Sequence, residues 1–273
     1  MQVVICAMAK NEHKYINEWV RHHLRLGFDK IYLYDNDDTN APNVSDFIND
    51  KYKKKVKIID IRGAHCDKLQ QKIYNDFYNN YSNDFDWCMF CDIDEFLSGV
   101  GNVHLWLEQR QFRHINQIRI KWRLFGDDNK IKRDMNKGVF ESFTKEIKHS
   151  LNRNLIDKGT LENQGKFIIR GGLTNVIISS PHFASFGKRN NVIPSVLPSG
   201  KPCWSKVEIK ENYKNEYIFL NHYMTKTLIE FIEQKLKRTD AVYGDLSISF
   251  DYYWRINEKT QEKLDYIKSF LGT

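Results

Sequence analysis

The chain has 273 residues, enough for one large α/β domain, and its 41% hydrophobic and 14% aromatic content allows a substantial core. No stretch approaches the roughly 18 to 20 uninterrupted apolar residues of a membrane span, and the amino terminus lacks the basic region of a signal peptide. The net charge of +7 comes without a nucleic-acid-binding motif, and the single CxxC, at Cys88 and Cys91, lacks a second CxxC or a histidine pair. We therefore expect a cytoplasmic protein without a nucleic-acid partner or a zinc site.

Strand and helix patterns alternate through the first hundred residues. Apolar runs predict strands at 3–8, 31–34, 56–61 and 87–91, and helical spacing of apolar residues predicts helices at 16–24, 44–48 and 69–81. Gly27 stands where a helix carboxyl end favours glycine. Repeated strand–helix–strand units imply a parallel sheet with right-handed crossovers, so we predict an α/β fold.

The second half is less regular. We predict a helix at 103–111, a strand at 117–122, short strands at 167–169, 176–178 and 217–220, and helices at 228–236 and 252–271. Residues 126–165 are polar and weakly periodic, which is typical of a functional or mobile loop, and residues 190–202 read as a surface loop.

Three carboxylates, Asp92, Asp94 and Glu95, follow the fourth predicted strand. Side chains alternate along a strand, so we expect Asp92 and Asp94 on the same side. Open α/β sheets bind ligands beyond the carboxyl ends of their strands, and buried acids need a partner. A hard divalent ion with free positions for phosphate oxygens suits such a pair, although a lone D-x-D is common and an acidic loop without function is the alternative.

Polar loops also follow the first two predicted strands. Asn11 either contacts a ligand or caps the next helix, and Glu12 lies beside it. Asp35 and Asp37 could accept hydrogen bonds from a ribose hydroxyl or a base N–H, or could simply form a polar turn. The sequence has no glycine-rich phosphate loop, so we expect a metal ion to neutralise any bound diphosphate.

A third loop candidate and a basic cluster complete the set. His222 could bind a metal ion or serve as a structural hydrogen-bonding group, and Lys226 could meet phosphate at a helix start. The cluster of Lys53, Lys54 and Lys55 is either a solvated surface or a site of attraction for anionic lipid or a phosphate-rich substrate.

Together these motifs resemble the GT-A glycosyltransferases, in particular the DUF23 or glycosyltransferase family 92 group and the related family-2-like bacterial enzymes. The resemblance is carried by residues 10–12, 15–19 with His22 or His23, 26–36, 92–97, 122–126 and 222–226. It implies a Rossmann-like, mostly parallel sheet flanked by helices, with an irregular acceptor-side region and C-terminal helices. It further implies one domain over 1–273, with a nucleotide-sugar-binding half at 1–100, an acceptor-side half at 101–250 and a C-terminal helix at 251–273.

In such families the D-x-D acids hold Mn²⁺ or Mg²⁺ on the diphosphate of a nucleotide sugar. Carried over to this sequence, the resemblance implies Asp92, Asp94 and His222 as metal ligands. The positions that it implies for donor binding are Asn11, Glu12, Asp35, Asp37, Lys68, Gln71, Asp92 and Lys226.

The expected reaction is a metal-dependent, inverting transfer of a hexose from a nucleotide sugar, a UDP-sugar above all, to a hydroxyl of a glycan or lipid-linked glycan. Asp127 and Asp128 are the first choice for the catalytic base, with a solvated acidic turn as the alternative, and Glu141 and Glu162 are further candidates. A sugar nucleotidyltransferase and a non-catalytic binding protein on the same fold are the competing interpretations. Peripheral contact with an anionic membrane would suit the basic cluster.

Overall fold

The structure is a computed structural model that describes residues 1–147, 164–187, 191–204, 209, 216–236, 239–240, 244–247 and 249–272. The first part contains β1 (Val3–Ala9), α1 (Ile16–Arg25), β2 (Lys30–Asp35), α2 (Asp50–Lys53), β3 (Val56–Asp60), α3 (Leu69–Tyr81), β4 (Trp87–Phe90), β5 (Glu95–Ser98) and α4 (Val103–Leu107). The middle contains β6 (Gln117–Phe125), α5 (Val139–Ser142), β7 (Glu146–Ile147), β8 (Gly165–Arg170), β9 (Val176–Ser180), β10 (Phe183–Phe186), β11 (Asn191–Val192) and β12 (Ser195–Val196). The last part contains β13 (Phe219–His222), α6 (Leu228–Phe231), β14 (Thr239–Asp240), β15 (Gly244–Ser247), α7 (Phe250–Tyr253) and α8 (Gln261–Leu271).

Short 3₁₀ turns at Val44–Phe47, Ser82–Asp84 and Arg110–Phe112 join some of these elements. A π-helical turn, Ile232–Leu236, continues α6.

The main sheet has the strand order β3-β2-β1-β4-β8-β6-β13-β5 in the described residues, with β7 and β12 paired to β6. The strands β3, β2, β1 and β4 are parallel, as the strand–helix alternation predicts. Beyond them β8 runs antiparallel to both β4 and β6, while β6 and β13 are parallel. The α/β fold class with a mainly parallel sheet is therefore confirmed.

The core lies on both faces of the sheet because successive side chains on a buried strand point to opposite sides. On β1, Val3 and Ile5 join the cluster packed under α1, whereas Val4 and Cys6 join the cluster packed under α3. The two helices therefore cover opposite faces. The CxxC follows the same rule, since Cys88 and Cys91 belong to opposite clusters. The five cysteines all lie within the described residues and form no disulfide.

Helix α1 ends where the sequence predicts. Its carboxyl end is followed by Gly27 at φ +98°, a left-handed conformation that costs glycine little. The amide N–H groups of Gly27 and Phe28 donate to carbonyl groups of the last turn, those of Leu24 and His23. After this cap the chain enters β2 at Lys30.

Two predictions about the second half are wrong in detail. The predicted helix at 252–271 is two helices, α7 and α8, separated by a turn that contains Asn257. The side chain of Asn257 accepts a hydrogen bond from the amide of Asp127 and donates one to the hydroxyl of Thr225. The described part of the predicted loop at 126–165 contains α5 and β7. Among the described residues, no helix combines the length and apolar character needed to cross a bilayer.

Candidate active site

The D-x-D acids lie in a tight turn between β4 and β5. The strand β4 ends at Phe90 and β5 begins at Glu95, so Asp92 and Asp94 are beyond the strand. The expectation that strand alternation orients them is therefore wrong. The turn is instead closed by Glu95, whose carboxylate accepts a hydrogen bond from the amide of Asp92 at 2.9 Å. Glu95 therefore supports the loop.

Asp92 is held by side chains from two other elements. Its Oδ1 accepts a hydrogen bond from Gln70 on α3 at 2.6 Å, and its Oδ2 accepts one from the ammonium of Lys166 on β8 at 2.7 Å. Burial raises the pKa of Asp92, but the charge and the hydrogen bond of Lys166, together with His222, hold the pKa below its ordinary value. The side chain keeps 32% of its surface exposed, so it faces the open side of the turn.

Asp94 is more deeply buried than Asp92 and pairs with a different lysine. Its Oδ2 lies 2.6 Å from the ammonium of Lys235, and its Oδ1 lies 3.5 Å from Nε2 of His222. The amide of Tyr223 donates to its backbone carbonyl at 2.9 Å, which ties the turn to β13. Burial would raise the pKa of Asp94, yet Lys235 and His222 together hold it well below the ordinary value. Asp94 is therefore a buried, charged carboxylate.

His222 reaches this turn because β13 pairs with β5. The register places His222 opposite Glu95, and the imidazole ring lies 4.4 Å from the ring of Trp122 on β6. Burial lowers the pKa of His222, although Asp94 opposes the shift, so the ring is neutral at pH 7. Its Nδ1 is buried and makes no hydrogen bond within the described part of the chain. For an ion shared with Asp94 the ligand would have to be Nε2, the ring nitrogen that faces Asp94, and a neutral imidazole can supply that lone pair.

A second buried pair lies on the other side of Asp94. The ammonium of Lys226 is 3.8 Å from a carboxylate oxygen of Glu12 and 4.1 Å from the centre of the Tyr15 ring. Lys226 is 1% exposed, and its Nζ donates no hydrogen bond within the described residues. Burial lowers the pKa of Lys226, while Glu12 and Asp94 oppose the shift. An ammonium buried in this way lacks the hydrogen bonds that would compensate its desolvation.

The charges around the turn balance. Burial raises the pKa of Glu95 to about 8, so this side chain is mainly uncharged at neutral pH. The remaining carboxylates are matched one to one by ammonium groups. The matched pairs are Asp92 with Lys166, Asp94 with Lys235, and Glu12 with Lys226. A ligand that brings negative charge must therefore bring cations with it or take over the lysines.

The side chains of Asp92, Asp94 and His222 are of the types that bind a hard divalent ion, but their ligand atoms do not converge on one position. Carboxylate oxygens of Asp92 and Asp94 and the Nε2 atom of His222, which faces Asp94, are ligands that Mn²⁺ accepts. Across the residues that the structure describes, no three such side chains converge tightly enough to form a preassembled ion site. The ammonium of Lys235 supplies the positive charge that an ion would otherwise bring to Asp94.

Residues 1–238 match the family model of glycosyltransferase family 92, which is most of the chain. The chain belongs to glycosyltransferase family 92. The resemblance inferred from the ordered motifs is thereby confirmed.

One curated protein and one solved structure are similar to parts of this family 92 chain. A family 92 protein of rice (Oryza sativa subsp. japonica) is 24% identical over 143 residues, which are 51% of this chain and 24% of the rice protein. This chain therefore matches about a quarter of the rice protein's length. A crystal structure of S. aureus TarS is similar at a TM-score of 0.35 and 14% identity, over 49% of this chain and 23% of TarS.

The loops predicted to bind the nucleoside are tied to each other in the family 92 domain. The amide of Asn11, at φ +59°, donates to Asp37 at 2.5 Å, and His13 lies 2.9 Å from the same carboxylate. Asp35 accepts hydrogen bonds from the amides of Asp37 and Val44. Asn11 does not cap α1, whose first flanking residue is Tyr15. The buried carboxylates of Asp35 and Asp37 thus brace the loops, and their role toward a nucleoside stays a prediction.

On α3 the contact with the D-x-D turn comes from a neighbour of the predicted residues. Gln70 reaches Asp92, whereas Lys68 is exposed ahead of the helix and Gln71 is partly buried. Lys68 adopts φ +55°, so the chain enters α3 through a left-handed residue. The contacting residue is thus one position away from those predicted. The spacing of apolar residues indicates which side of a helix is buried, but it does not give the rotation of the helix to within one residue.

The carboxylates predicted as catalytic bases are engaged by other groups. Asp127 pairs with Lys263 at 2.5 Å and accepts a hydrogen bond from the Tyr253 hydroxyl. Asp128 accepts hydrogen bonds from the amides of Thr144 and Lys145. Both acids line a cavity of about 150 Å³, together with residues 256–258 of the turn between α7 and α8. Glu141 is exposed and pairs with Lys137, and Glu162 lies outside the described residues.

Three residues of the site escaped the sequence analysis: Gln70, Lys166 and Lys235. A signal existed for the two lysines. Lys166 interrupts the apolar strand β8, and Lys235 follows Phe231 by four positions on the apolar side of its helix. Lysine is almost never fully buried unless paired, so a lysine at a core position indicates a buried anion nearby.

Proposed function

We propose that this protein transfers a hexose from a nucleotide sugar, preferably a UDP-sugar, to a hydroxyl of a glycan or lipid-linked glycan, with inversion at the anomeric carbon. The observation that carries the proposal is the meeting, at the carboxyl edge of the sheet, of Asp94, His222 and the buried cations Lys226 and Lys235. Membership of glycosyltransferase family 92 supports the same class of reaction.

The chain's own residues have distinct parts in this proposal. Asp92, Asp94 and His222 would hold Mn²⁺ or Mg²⁺. The ion, when bound, supplies Lewis-acid stabilisation of the leaving diphosphate. Lys226 offers an ammonium with three unused N–H donors within the described part of the chain, and phosphate oxygens are the acceptors that such a group favours.

In the reaction the bond between the anomeric carbon and the diphosphate oxygen breaks, and the leaving nucleoside diphosphate keeps the electron pair. The acceptor oxygen attacks the opposite face of the sugar and forms the new bond. Its proton passes to a carboxylate base. Asp127 and Asp128 stay the proposed candidates, and either would need to exchange its present hydrogen-bond partners for the acceptor hydroxyl.

The decisive experiment is a donor-panel assay of the purified chain that measures released nucleoside diphosphate with Mn²⁺, with Mg²⁺ and with a chelator. We expect Asp94→Asn to lower kcat/KM by at least about a hundredfold, because electrostatic stabilisation of a leaving group is worth several kcal/mol. Asp50→Asn is the matched control, since its side chain is 93% exposed and pairs with Lys53 at the surface.

Each competing interpretation gives its own result. Pyrophosphate as the released product would indicate a sugar nucleotidyltransferase. Absence of metal-dependent UDP binding in calorimetry, with a folded protein by circular dichroism, would indicate a non-catalytic protein. Turnover unchanged by Asp94→Asn would overturn the role given to the D-x-D turn.

Contact with an anionic membrane is a separate part of the proposal. Lys53, Lys54 and Lys55 are exposed and precede β3, so they lie at the amino edge of the parallel strands, opposite the D-x-D turn. Exposed lysines add binding energy to anionic lipid surfaces. Vesicles with and without phosphatidylserine test it: neutralising the three lysines should weaken binding, and unchanged binding would refute the contact. The cytoplasmic location stays a prediction.

A further inference from the structure

Lys235 is the cation in closest contact with the D-x-D turn among the described residues. Its ammonium lies 2.6 Å from Asp94, and the residue is only 5% exposed. It belongs to the π-helical turn Ile232–Leu236 that continues α6. Such turns are rare and occur frequently at functional sites, because they cost backbone hydrogen-bond geometry that an ordinary helix would keep.

Lys235 and a divalent ion would compete for the same carboxylate. Asp94 has one oxygen on Lys235 and the other facing His222 at 3.5 Å. An ion bound to this carboxylate would lie within a few ångströms of the ammonium, in a site where burial leaves like charges poorly screened. The ion can therefore bind tightly only if the ammonium finds another anion.

The described protein offers no spare anion for it. The neighbouring carboxylates already have ammonium partners: Asp92 pairs with Lys166, and Glu12 pairs with Lys226. The diphosphate of the donor is the anion that the proposed reaction brings into this site. Its two phosphate groups add negative charge close to where the ion adds positive charge.

We infer that Lys235 is a resident counter-ion of Asp94 that passes to the donor's diphosphate when a divalent ion takes the carboxylate. This inference rests on the proposed function. Ion and nucleotide diphosphate then bind weakly alone and tightly together, and by linkage each strengthens the other by the same factor. Lys235 is a positioning residue in this scheme: it keeps the site charge-neutral before the donor arrives and contacts the diphosphate afterwards.

The test is calorimetric titration of Mn²⁺ and of UDP, each alone and each in the presence of the other. In the unaltered protein we expect UDP to tighten Mn²⁺ binding by about tenfold or more. In Lys235→Met, which keeps the side-chain bulk without the charge, Mn²⁺ alone should bind about tenfold tighter, because an unpaired buried carboxylate is strongly unfavourable. The factor by which UDP tightens Mn²⁺ binding should fall by a similar amount.

Two control variants isolate the charge at this position. Lys235→Arg retains the cation and should keep weak Mn²⁺ binding in the absence of UDP. Lys14→Met removes an ammonium that pairs at 2.7 Å with Glu233 on the same π-helical turn, but this pair is about half exposed, so ion binding should not change.

The outcomes separate the two levels of the proposal. If UDP and Mn²⁺ bind the unaltered protein independently, or if Lys235→Met leaves both the Mn²⁺ affinity and its dependence on UDP unchanged, the counter-ion role is refuted and the proposed function stands. If the unaltered, folded protein binds neither, both are refuted. The measurement on the unaltered protein needs no variant, so a Lys235→Met protein that fails to fold would not prevent the test.

Discussion

The protonation of one residue, Glu95, should make the free energy of unfolding depend on pH. The side chain is fully buried beneath the D-x-D turn, and burial raises its pKa from 4.5 to about 8, with Asp92 and Asp94 adding to the shift and Lys166 opposing it. The folded protein therefore keeps a proton on Glu95 that the unfolded chain releases above its own pKa. The stabilisation is fully present below about pH 4.5 and is lost as the pH rises through about 8.

The magnitude follows from linkage. Where the folded state holds one proton more than the unfolded state, the free energy of unfolding falls by about 1.4 kcal/mol per pH unit. Between pH 5 and pH 7.5 this gives a loss on the order of 3 kcal/mol from Glu95. Glu95→Gln keeps an acceptor for the amide of Asp92, at 2.9 Å in the native turn, and cannot titrate. The pKa of Asp92 is lowered and that of Lys166 is raised, so both neighbours of Glu95 keep their charges between pH 5 and 8, and the difference between the two proteins isolates Glu95.

The assay is urea unfolding of both proteins at several pH values from 5 to 8. We expect the unaltered protein to lose stability relative to Glu95→Gln as the pH rises. Parallel stability profiles, with a constant offset between the two proteins, would show that Glu95 titrates near its ordinary pKa in the folded state. That result would also remove the reason for counting Glu95 as uncharged in the charge balance of the site.

Two further predictions concern stability. The Arg133 guanidinium lies 3.0 Å from the Glu230 carboxylate, and both side chains are buried. Arg133→Met breaks this pair and should lower the free energy of unfolding in urea by about 3 to 5 kcal/mol. A loss below about 1 kcal/mol would mean that solvent screens the pair. Gly165→Ala places a Cβ 2.0 Å from the carbonyl oxygen of Ile120 and should cost at least about 1 to 3 kcal/mol in the same assay, whereas Gly101→Ala, with open space around it, is the control. Equal stabilities of the two alanine variants would contradict the close approach of β6 and β8.

The order of the strands beyond β4 could not be read from the sequence. Periodicity predicts that residues 167–169 form a strand, but it carries no information about the neighbour of that strand. The structure inserts β8 between β4 and β6 as an antiparallel strand, which breaks the parallel series. The choice of neighbour depends on packing between residues far apart in the chain.

The sequence by itself determined the elements and the family. Local spacing of apolar residues reflects the periods of strand and helix, so β1 to β4 and α1 and α3 were predictable, and the ordered polar loops identified glycosyltransferase family 92. The resemblance to this family also implied Asp94 and His222 as ligands of one ion, and the structure places their side chains 3.5 Å apart.

Only the tertiary structure decided how the charges of the site are arranged. Lys166 meets Asp92 across 74 positions of the chain, and Lys235 meets Asp94 across 141. Neither separation leaves a local pattern, since electrostatic pairing between buried groups depends on distance in space and not on distance along the chain. The D-x-D turn was visible in the sequence, but its balance of carboxylates and ammonium groups was settled by the fold.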